Sequence, residues 1–438
     1  MSRVSAAERR GAVLVGGGLA AIAAARSLRA NGWDRPITLV AAERGAPYDR
    51  PPLSKQYLTG HVRADEIELA RSGELAELEV RLLAGRRAIA LDPARYTVTL
   101  DDRTRLNYET LLIATGAAAR RLADPGFPDV HYLRTLHDAD SLARALRRGG
   151  RLAVIGAGFI GLEVAASAIS LGLAVSVLES APGPLTRVLG ADAGAAIAGL
   201  HRARGVELRC GVRELDLAVA GGRIRARWRT QDGPDETMAD TVVAGIGAEP
   251  RVGWLSGSGI EVDDGVVCDA GGRTSSAGVY AAGDVSRWAN ALTGSTHRVE
   301  QWQAALEQGS VAGANMAADL EVAGASVRQW ASVPYFWSDQ YEHKVQFCGS
   351  TGPISLSAPT VRGVVTCYAP AADAPLSGVL ALDSPAALAG GRRLVAQRAS
   401  WGEARAWLGE QNGAAMNNRL GILYHQSFTA LRVAKELR

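Results

Sequence analysis

The sequence predicts an α/β fold in which two similar parallel-sheet units precede a C-terminal α+β domain. Its 438 residues are enough for about three domains of ~150 residues each. A pattern of strand, glycine turn, helix and strand begins at Gly11 and returns at Arg151. From about Trp330 onward aromatic residues cluster, and strand-like runs are separated by glycine and proline. These three observations define the fold class.

In the first unit, a short apolar run at 11–15 predicts a strand, which the glycines at 16–18 interrupt. Residues 19–30 are predicted to form a helix, and residues 37–40 a second buried strand. Apolar strands that alternate with helices are typical of a parallel sheet covered on both faces.

The second unit repeats this order with a strand at 152–155, a turn at 156–161, a helix at 162–171 and a strand at 174–178. Two copies about 140 residues apart indicate two Rossmann-like nucleotide-binding domains rather than a solenoid.

The segments between and after these units alternate apolar and polar residues and are predicted to contain strands. Residues 81–112 show this alternation, with a turn at Asp101–Asp102, and residues 205–245 repeat it. After Gly391 the chain is predicted to be helical. The tail from about residue 412 has the pattern of an amphipathic helix that packs on the domain, forms a dimer contact or binds a partner; its apolar residues are Leu420 to Leu423, Phe428, Leu431 and Val433.

Composition excludes several classes of function. The hydrophobic share of 47% and the charged share of 21% are those of a globular protein, and a net charge of +3 favours neither nucleic acid nor a membrane surface. No segment approaches the ~20 apolar residues that span a bilayer. The apolar run at 12–25 resembles a secretory signal, but its glycines favour a turn. We therefore expect a cytoplasmic protein.

The cysteine and histidine spacings argue against metal and dithiol sites. The four cysteines stand far apart, without CxxC spacing, and the seven histidines show neither HxxxH nor HExxH spacing. We expect reduced thiols and no metal; the cysteines are Cys210, Cys268, Cys348 and Cys367.

The first glycine loop has the form Gly16-x-Gly18-x-x-Ala21 and lies between a predicted strand and helix. The first glycine permits the turn, the second lets the backbone approach a pyrophosphate, and the third position needs a small residue for helix packing. Glu43 follows the second strand, where a carboxylate can accept hydrogen bonds from both ribose hydroxyls.

The second loop, Gly156-x-Gly158-x-x-Gly161, is the stricter match, and Glu179 ends the strand that follows it. A carboxylate there favours NADH over NADPH, although Arg187 is near enough in sequence to oppose this. Either loop alone is also explained by a tight turn. The pair predicts two dinucleotides, FAD and a nicotinamide, because hydride transfer needs a donor and an acceptor.

Five further motifs complete the pattern. With them, the chain resembles the FAD-dependent NADH:ferredoxin reductases, which are glutathione-reductase-type flavoproteins, over about residues 10 to 400. The motifs are Tyr48 to Lys55 (YDRPPLSK), Ala114-Thr115-Gly116, Ala282-Gly283-Asp284, His297 to Trp302 (HRVEQW) and Pro334 to Gln340 (PYFWSDQ).

The resemblance implies a discontinuous FAD-binding domain at 1–121 and 250–327, an inserted NAD-binding domain at 122–249, and a C-terminal domain at 328–438. It also implies a [2Fe-2S] ferredoxin as partner, and we expect a monomer or homodimer.

The resemblance also implies the site residues. Lys55, Glu163 and Trp302 are the expected catalytic residues. The expected FAD contacts are Gly16, Gly18, Ala20, Glu43, Arg50, Lys55, Ala88, Thr115, Gly116, Arg134, Asp284 and Trp302. The expected NADH contacts include Gly156, Gly158, Gly161 and Glu179, and Ile160, Arg187, Gly247 and Glu300 are further predicted cofactor contacts.

Several of these residues have plainer explanations. Arg50 and Lys55 also suit a solvated turn, and Asp284 also suits the cap of a following helix. Trp302, like Trp337, suits a core or interface aromatic, and Glu163 suits a helix surface.

The predicted reaction is hydride transfer from NADH to FAD N5, followed by single-electron delivery to the ferredoxin. Thiol-using relatives of this fold carry cysteine in the helix after the position of Glu43, whereas here the first cysteine is Cys210. An acidic ferredoxin would be steered by arginines, and Arg298 is the candidate, with an ordinary surface charge as the alternative. The rival functions are NADH-dependent reduction of a quinone or monodehydroascorbate, and an apoptosis-inducing-factor-like protein whose interactions NADH switches.

Overall fold

The computed structural model describes residues 11–123 and 130–414. The predicted tail helix, with Leu420 to Leu423, Phe428, Leu431 and Val433, lies outside these residues. Within them the chain forms two compact units, one of residues 11–180 and 201–332 and the other of residues 181–200 and 333–414.

The first unit begins with a largely parallel sheet built from the N-terminal segment. The strand order is β3-β2-β1-β6, β18 lies beside β6 in parallel, and β4 and β5 extend β6 in antiparallel fashion. The elements are β1 (Gly11–Val15), α1 (Leu19–Ala30), β2 (Ile37–Ala41), α2 (Glu74–Glu77), β3 (Val80–Ala84), β4 (Ala88–Asp92), β5 (Thr97–Leu100), β6 (Arg105–Ile113) and β18 (Val279–Ala281).

A second parallel sheet of the same unit has the order β11-β10-β9-β15-β8 and is accompanied by the antiparallel sheet β12-β13-β14. The elements between residues 117 and 250 are β7 (Ala117–Ala119), β8 (Val130–His131), α3 (Leu136–Leu146), β9 (Arg151–Ile155), α4 (Phe159–Ser170), β10 (Ala174–Glu179), α5 (Thr186–Leu189), α6 (Ala191–Arg202), β11 (Glu207–Cys210), β12 (Arg213–Ala220), β13 (Arg223–Thr230), β14 (Gly233–Ala239), β15 (Thr241–Ala244) and β16 (Ala248–Pro250). Of these, α5 and residues 191–200 of α6 belong to the other compact unit. β7 and β16 pair where the chain enters and leaves this part.

The chain then returns to the first sheet through β18 and ends the unit with a long helix. The remaining elements here are β17 (Val266–Cys268), β19 (Ser286–Ala289), β20 (Thr296–Arg298) and α7 (Trp302–Ala318). β17, β19 and β20 form a small sheet. One hydrophobic core joins residues of this sheet to the first parallel sheet and α1, and it contains fully buried side chains such as Leu14, Ile22 and Trp288.

The second unit contains a five-stranded antiparallel sheet with the order β21-β22-β25-β24-β23. Its elements are β21 (Tyr335–Gln340), β22 (His343–Gly349), β23 (Ile354–Pro359), β24 (Val364–Ala369), β25 (Gly378–Leu382) and α8 (Pro385–Ala396), with further helix at 401–414. The helix predicted after Gly391 is present, but it starts before that residue, because α8 begins at Pro385, a residue suited to a first helical position.

The first parallel sheet carries the close approach of α1 and α7. A Cβ atom on Gly309 would lie 2.2 Å from the carbonyl oxygen of Ala20, and one on Gly313 would lie 2.5 Å from that of Ala24. The Ser27 hydroxyl donates a hydrogen bond to the Ser310 carbonyl at 2.6 Å. Small residues on both helices therefore set the position of α1, whose N-terminus carries the first glycine loop.

This packing predicts that Gly313→Ala lowers the thermal unfolding midpoint, because overpacking of this kind costs about 1–3 kcal/mol. Gly199→Ala is the matched control, since a Cβ there meets no atom within 4 Å and alanine favours a helix. Calorimetry of both variants checks the difference. Equal midpoints for the two variants would contradict close α1–α7 packing.

Candidate functional site

The first glycine loop is built as a cradle in front of α1. Gly16 has a φ of +136°, and a Cβ there would lie 2.0 Å from the carbonyl oxygen of Ala114. Gly18 is the N-cap residue of α1, a Cβ on it would meet nothing within 4 Å, and no described side chain caps the helix. The third position, Ala21, is fully buried. The free N–H groups of the first turn therefore face open space, which fits a diphosphate.

The second loop has the same construction in front of α4. Gly156 has a φ of +97°, and Cβ atoms on Gly156 and Gly161 would lie 2.5 Å and 2.2 Å from the oxygens of Gly245 and Gly156. Gly158 is the N-cap residue, again without a side-chain cap among the described residues. Two glycine cradles of the same construction therefore lie in one unit.

Glu43 lies beyond β2 in a charged cluster near the first cradle. Its carboxylate accepts hydrogen bonds from the Tyr48 hydroxyl and, at 2.9 Å, from Arg50 Nη2. Arg50 also donates to the carbonyl of Arg134, so it is bonded on two sides rather than lying in a solvated turn. Ala88, the expected adenine contact, is buried at the start of β4.

A second ion pair joins Arg134 to Asp284. Arg134 Nε donates to the carbonyl of Ala117 at 3.0 Å, close to Thr115 and Gly116, which follow β6. The suggestion that Asp284 caps a helix is wrong, because the chain continues into strand β19.

Arg251 belongs to the same region and was missed by the sequence analysis. Its backbone N–H donates to the Gly116 carbonyl at 2.9 Å, and its carbonyl accepts from the Thr115 hydroxyl at 2.9 Å. Burial lowers the pKa of Arg251, as do the nearby guanidinium groups of Arg87 and Arg50. Arg251 directly follows β16 and is distant in sequence from Arg50 and Arg134, so no local sequence pattern predicts that it joins them. The concentration of cations suits a phosphate-bearing ligand.

Lys55 and Glu163 form an ion pair whose Nζ–Oε2 distance is 2.9 Å. Their side chains are 12% and 7% exposed, so the pair is buried. Lys55 follows a 3-10 turn at Pro51–Ser54, and Glu163 lies in the second turn of α4. Because Glu163 is buried, the explanation that it is a helix-surface carboxylate is excluded. The ion pair brings two of the expected catalytic residues together.

Trp302 is the first residue of α7 and is held from the segment after Glu43. Its indole N–H donates to Asp49 Oδ1 at 2.8 Å. Burial raises the pKa of the Asp49 carboxyl. The sequence analysis also missed Asp49 as a site residue, because Asp49 and its partner Trp302 lie 253 residues apart in the chain. Trp337, by contrast, lies in the second unit, where its ring stacks on that of Tyr335.

The remaining predicted nucleotide contacts surround the second cradle or lie elsewhere. Glu179 ends β10, is buried, and accepts a hydrogen bond from the Ala157 N–H at 2.6 Å. Ile160 is exposed in the first turn of α4, Gly247 has a φ of +105°, and a Cβ on Gly247 would meet nothing within 4 Å. Arg187 is exposed on α5, in the second unit.

Arg298 does not have the free surface charge that ferredoxin steering needs. Its side chain is 12% exposed and forms ion pairs with Asp264 and Glu300. The prediction for Arg298 is therefore wrong, because two carboxylates already neutralise it. Glu300, a predicted cofactor contact, has this arginine as its partner.

The described thiols have the environment of structural cysteines. Cys268, Cys348 and Cys367 are buried, and burial raises the pKa of each thiol. Burial likewise raises the pKa of the half-buried Cys210. Among residues 11–123 and 130–414 no cluster of three His, Cys, Asp or Glu side chains is arranged to hold a metal, and no helix is long and apolar enough to cross a membrane.

The second cradle yields a test that separates a ligand site from a tight turn. In Gly158→Ala the new Cβ has its nearest neighbour at 3.8 Å, so we expect an unchanged thermal midpoint. The same methyl group obstructs a diphosphate, and we expect KM for NADH to rise roughly tenfold, which is about 1.4 kcal/mol. Steady-state kinetics and calorimetry check both values.

Gly156→Ala is the contrasting variant. Its positive φ and close carbonyl predict a lower thermal midpoint in addition to weaker NADH binding. An unchanged KM in a stable Gly158→Ala variant would mean that the loop is only a turn.

Comparison with known proteins agrees with this geometry. Residues 11–309 match the family model described as pyridine nucleotide-disulphide oxidoreductase, and residues 335–407 match the reductase C-terminal model. The ferredoxin–NAD(+) reductase component of the anthranilate 1,2-dioxygenase system of Burkholderia cepacia is 36% identical over 88% of this chain and 93% of its own. Rhodocoxin reductase of Rhodococcus erythropolis is 37% identical over 81% of both chains.

A solved structure gives the same result at the level of the fold. The crystal structure of the covalent putidaredoxin reductase–putidaredoxin complex aligns with a TM-score of 0.81 and 31% identity, covering 89% of this chain and 94% of that chain. The fold class expected from the sequence is confirmed. The chain belongs to the pyridine nucleotide-disulphide oxidoreductase family and, within it, to the ferredoxin–NAD(+) reductases.

Proposed function

We propose that this protein is an FAD-dependent NADH:ferredoxin reductase that passes electrons singly to a [2Fe-2S] ferredoxin feeding an oxygenase. The observation that carries the proposal is the buried Lys55–Glu163 pair, which joins the segment after the first cradle to the helix of the second. Bound FAD supplies the chemistry, because it accepts two electrons from a nicotinamide and releases them one at a time.

The protein's own residues bind and orient the two nucleotides. The N-terminal turns of α1 and α4 bind the diphosphates, and Glu43 and Glu179 bind the adenosine riboses. Arg50, Arg134 and Asp284 complete the FAD site. Lys55 places a positive charge beside the flavin, where it stabilises negative charge on reduction.

The positions and burial of the cysteines indicate which kind of molecule accepts the electrons. Residues 43–67 contain no cysteine, so the segment that holds Lys55 offers no disulfide to reduce. The described cysteines are buried or half-buried with raised pKa values. Electrons therefore leave the protein without a thiol relay, directly to a partner.

The domain arrangement is part of the proposal. β7 and β16 pair at residues 117–119 and 248–250, which supports an NAD-binding domain at 122–249 inserted into an FAD-binding domain at 1–121 and 250–327. The C-terminal domain then covers 328–438. We propose a monomer or homodimer.

One assay tests the proposal. The FAD-loaded protein is mixed with NADH and cytochrome c, with and without a [2Fe-2S] ferredoxin, and reduction of the cytochrome is followed. We expect rapid reduction only when the ferredoxin is present, and no loss of turnover after alkylation with iodoacetamide. NADPH in place of NADH is expected to give slower turnover, because its 2′-phosphate meets the Glu179 carboxylate.

Three results would contradict parts of this proposal. Fast turnover with a quinone alone would make the protein a reductase of small acceptors. A long-lived NADH complex with negligible turnover would indicate an interaction protein switched by NADH. A strong preference for NADPH would overturn only the role of Glu179.

A further inference from the structure

Two serines surround the Lys55–Glu163 pair. The Ser54 hydroxyl donates a hydrogen bond to Glu163 Oε2. The same oxygen accepts a hydrogen bond from the Lys55 ammonium at 2.9 Å. The Ser167 hydroxyl donates to the Ser54 carbonyl at 2.7 Å. Ser54 and Ser167 are 5% and 7% exposed, so water does not replace either bond easily.

The arrangement holds one peptide unit from two positions on a single helix. Glu163 and Ser167 are four residues apart on α4 and therefore lie on the same face, one turn above the other. One contacts the side chains of Ser54 and Lys55, and the other contacts the backbone between them. The position of the Lys55 backbone is thus fixed relative to α4.

The Lys55 ammonium has donors to spare. It carries three N–H groups, and Glu163 is its one hydrogen-bond partner among the described residues. Its flexible four-carbon chain does not fix the charge by itself. Because Ser54 occupies the same carboxylate oxygen, it limits how far that oxygen can move toward the ammonium.

We propose that Ser54 and Ser167 are positioning residues that hold the Lys55 ammonium where it acts on the flavin. The inference rests on the proposed function, which places Lys55 beside FAD. Without the Ser54 hydroxyl, Glu163 Oε2 loses one of its two donors and draws the Lys55 ammonium closer to itself. Less positive charge then reaches the reduced flavin, which becomes harder to form.

The test compares Ser54→Ala and Ser167→Ala with Ser170→Ala in the FAD-loaded protein. Ser170 lies on the same helix and its hydroxyl donates to the Ser167 carbonyl at 2.7 Å, but it makes no bond to the segment that holds Lys55. The readouts are the flavin midpoint potential, the rate of flavin bleaching by saturating NADH under anaerobic conditions, and the thermal midpoint.

We expect bleaching about tenfold slower in Ser54→Ala and a midpoint potential more negative by about 30 mV, the two-electron equivalent of tenfold. Ser167→Ala should change both quantities in the same direction, and Ser170→Ala should change neither. Ser54→Thr keeps the hydroxyl and should restore both. A purely structural serine would change the thermal midpoint without moving the potential.

Lys55→Met separates this inference from the function on which it rests. If Lys55→Met shifts the potential while Ser54→Ala and Ser167→Ala behave like Ser170→Ala, the positioning role is wrong and the function stands. If Lys55→Met also leaves the potential unchanged, Lys55 does not act on the flavin, and the positioning role falls together with the role proposed for Lys55, whereas the ferredoxin-dependent assay decides the function itself.

Discussion

The buried contact between Lys55 and Glu163 is the interaction on which the arrangement of the two nucleotide sites depends. Removing one partner of such a pair leaves an uncompensated buried charge, which costs about 3–5 kcal/mol. Two further hydrogen bonds connect the segment that holds Lys55 to neighbouring helices. The Tyr57 hydroxyl donates to Asp140 on α3 at 2.6 Å, and the Ser167 hydroxyl on α4 donates to the Ser54 carbonyl. The segment after Glu43 is therefore bonded to α3 and α4, and these bonds hold the two glycine cradles in a fixed position relative to each other.

The close approach of neighbouring backbone segments is a second constraint, and it explains why small residues are frequent in the two glycine loops. At Gly16 and Gly156 the positive φ and the nearby carbonyl oxygen exclude any side chain, whereas at Gly18 and Gly158 the fold leaves room for one. The structure alone does not require glycine at those last two positions. A diphosphate does, because its oxygens reach the same N–H groups.

Sequence patterns predicted the elements that depend on local order. The helix at Leu19–Ala30 was predicted with the bounds observed, since glycines mark its start and Asn31 its end. Contacts distant in the chain were not predictable. Asp49 and Trp302 lie in two separate motifs, and neither motif indicates that they meet. Arg251 joins Arg50 and Arg134 without belonging to any motif. The prediction that Arg298 docks a ferredoxin was wrong, because only the folded chain brings Asp264 to Arg298 and directs Glu300 toward it.

A double-mutant cycle on Lys55 and Glu163 tests the central claim most directly. The rate of flavin bleaching by NADH is measured for the unaltered protein, Lys55→Met, Glu163→Gln and the variant with both changes. If the two residues act as one unit, the double variant is no slower than the slower single variant, and the coupling is about 1.4 kcal/mol or more. Effects that multiply would show that Lys55 and Glu163 act independently, and would contradict the account.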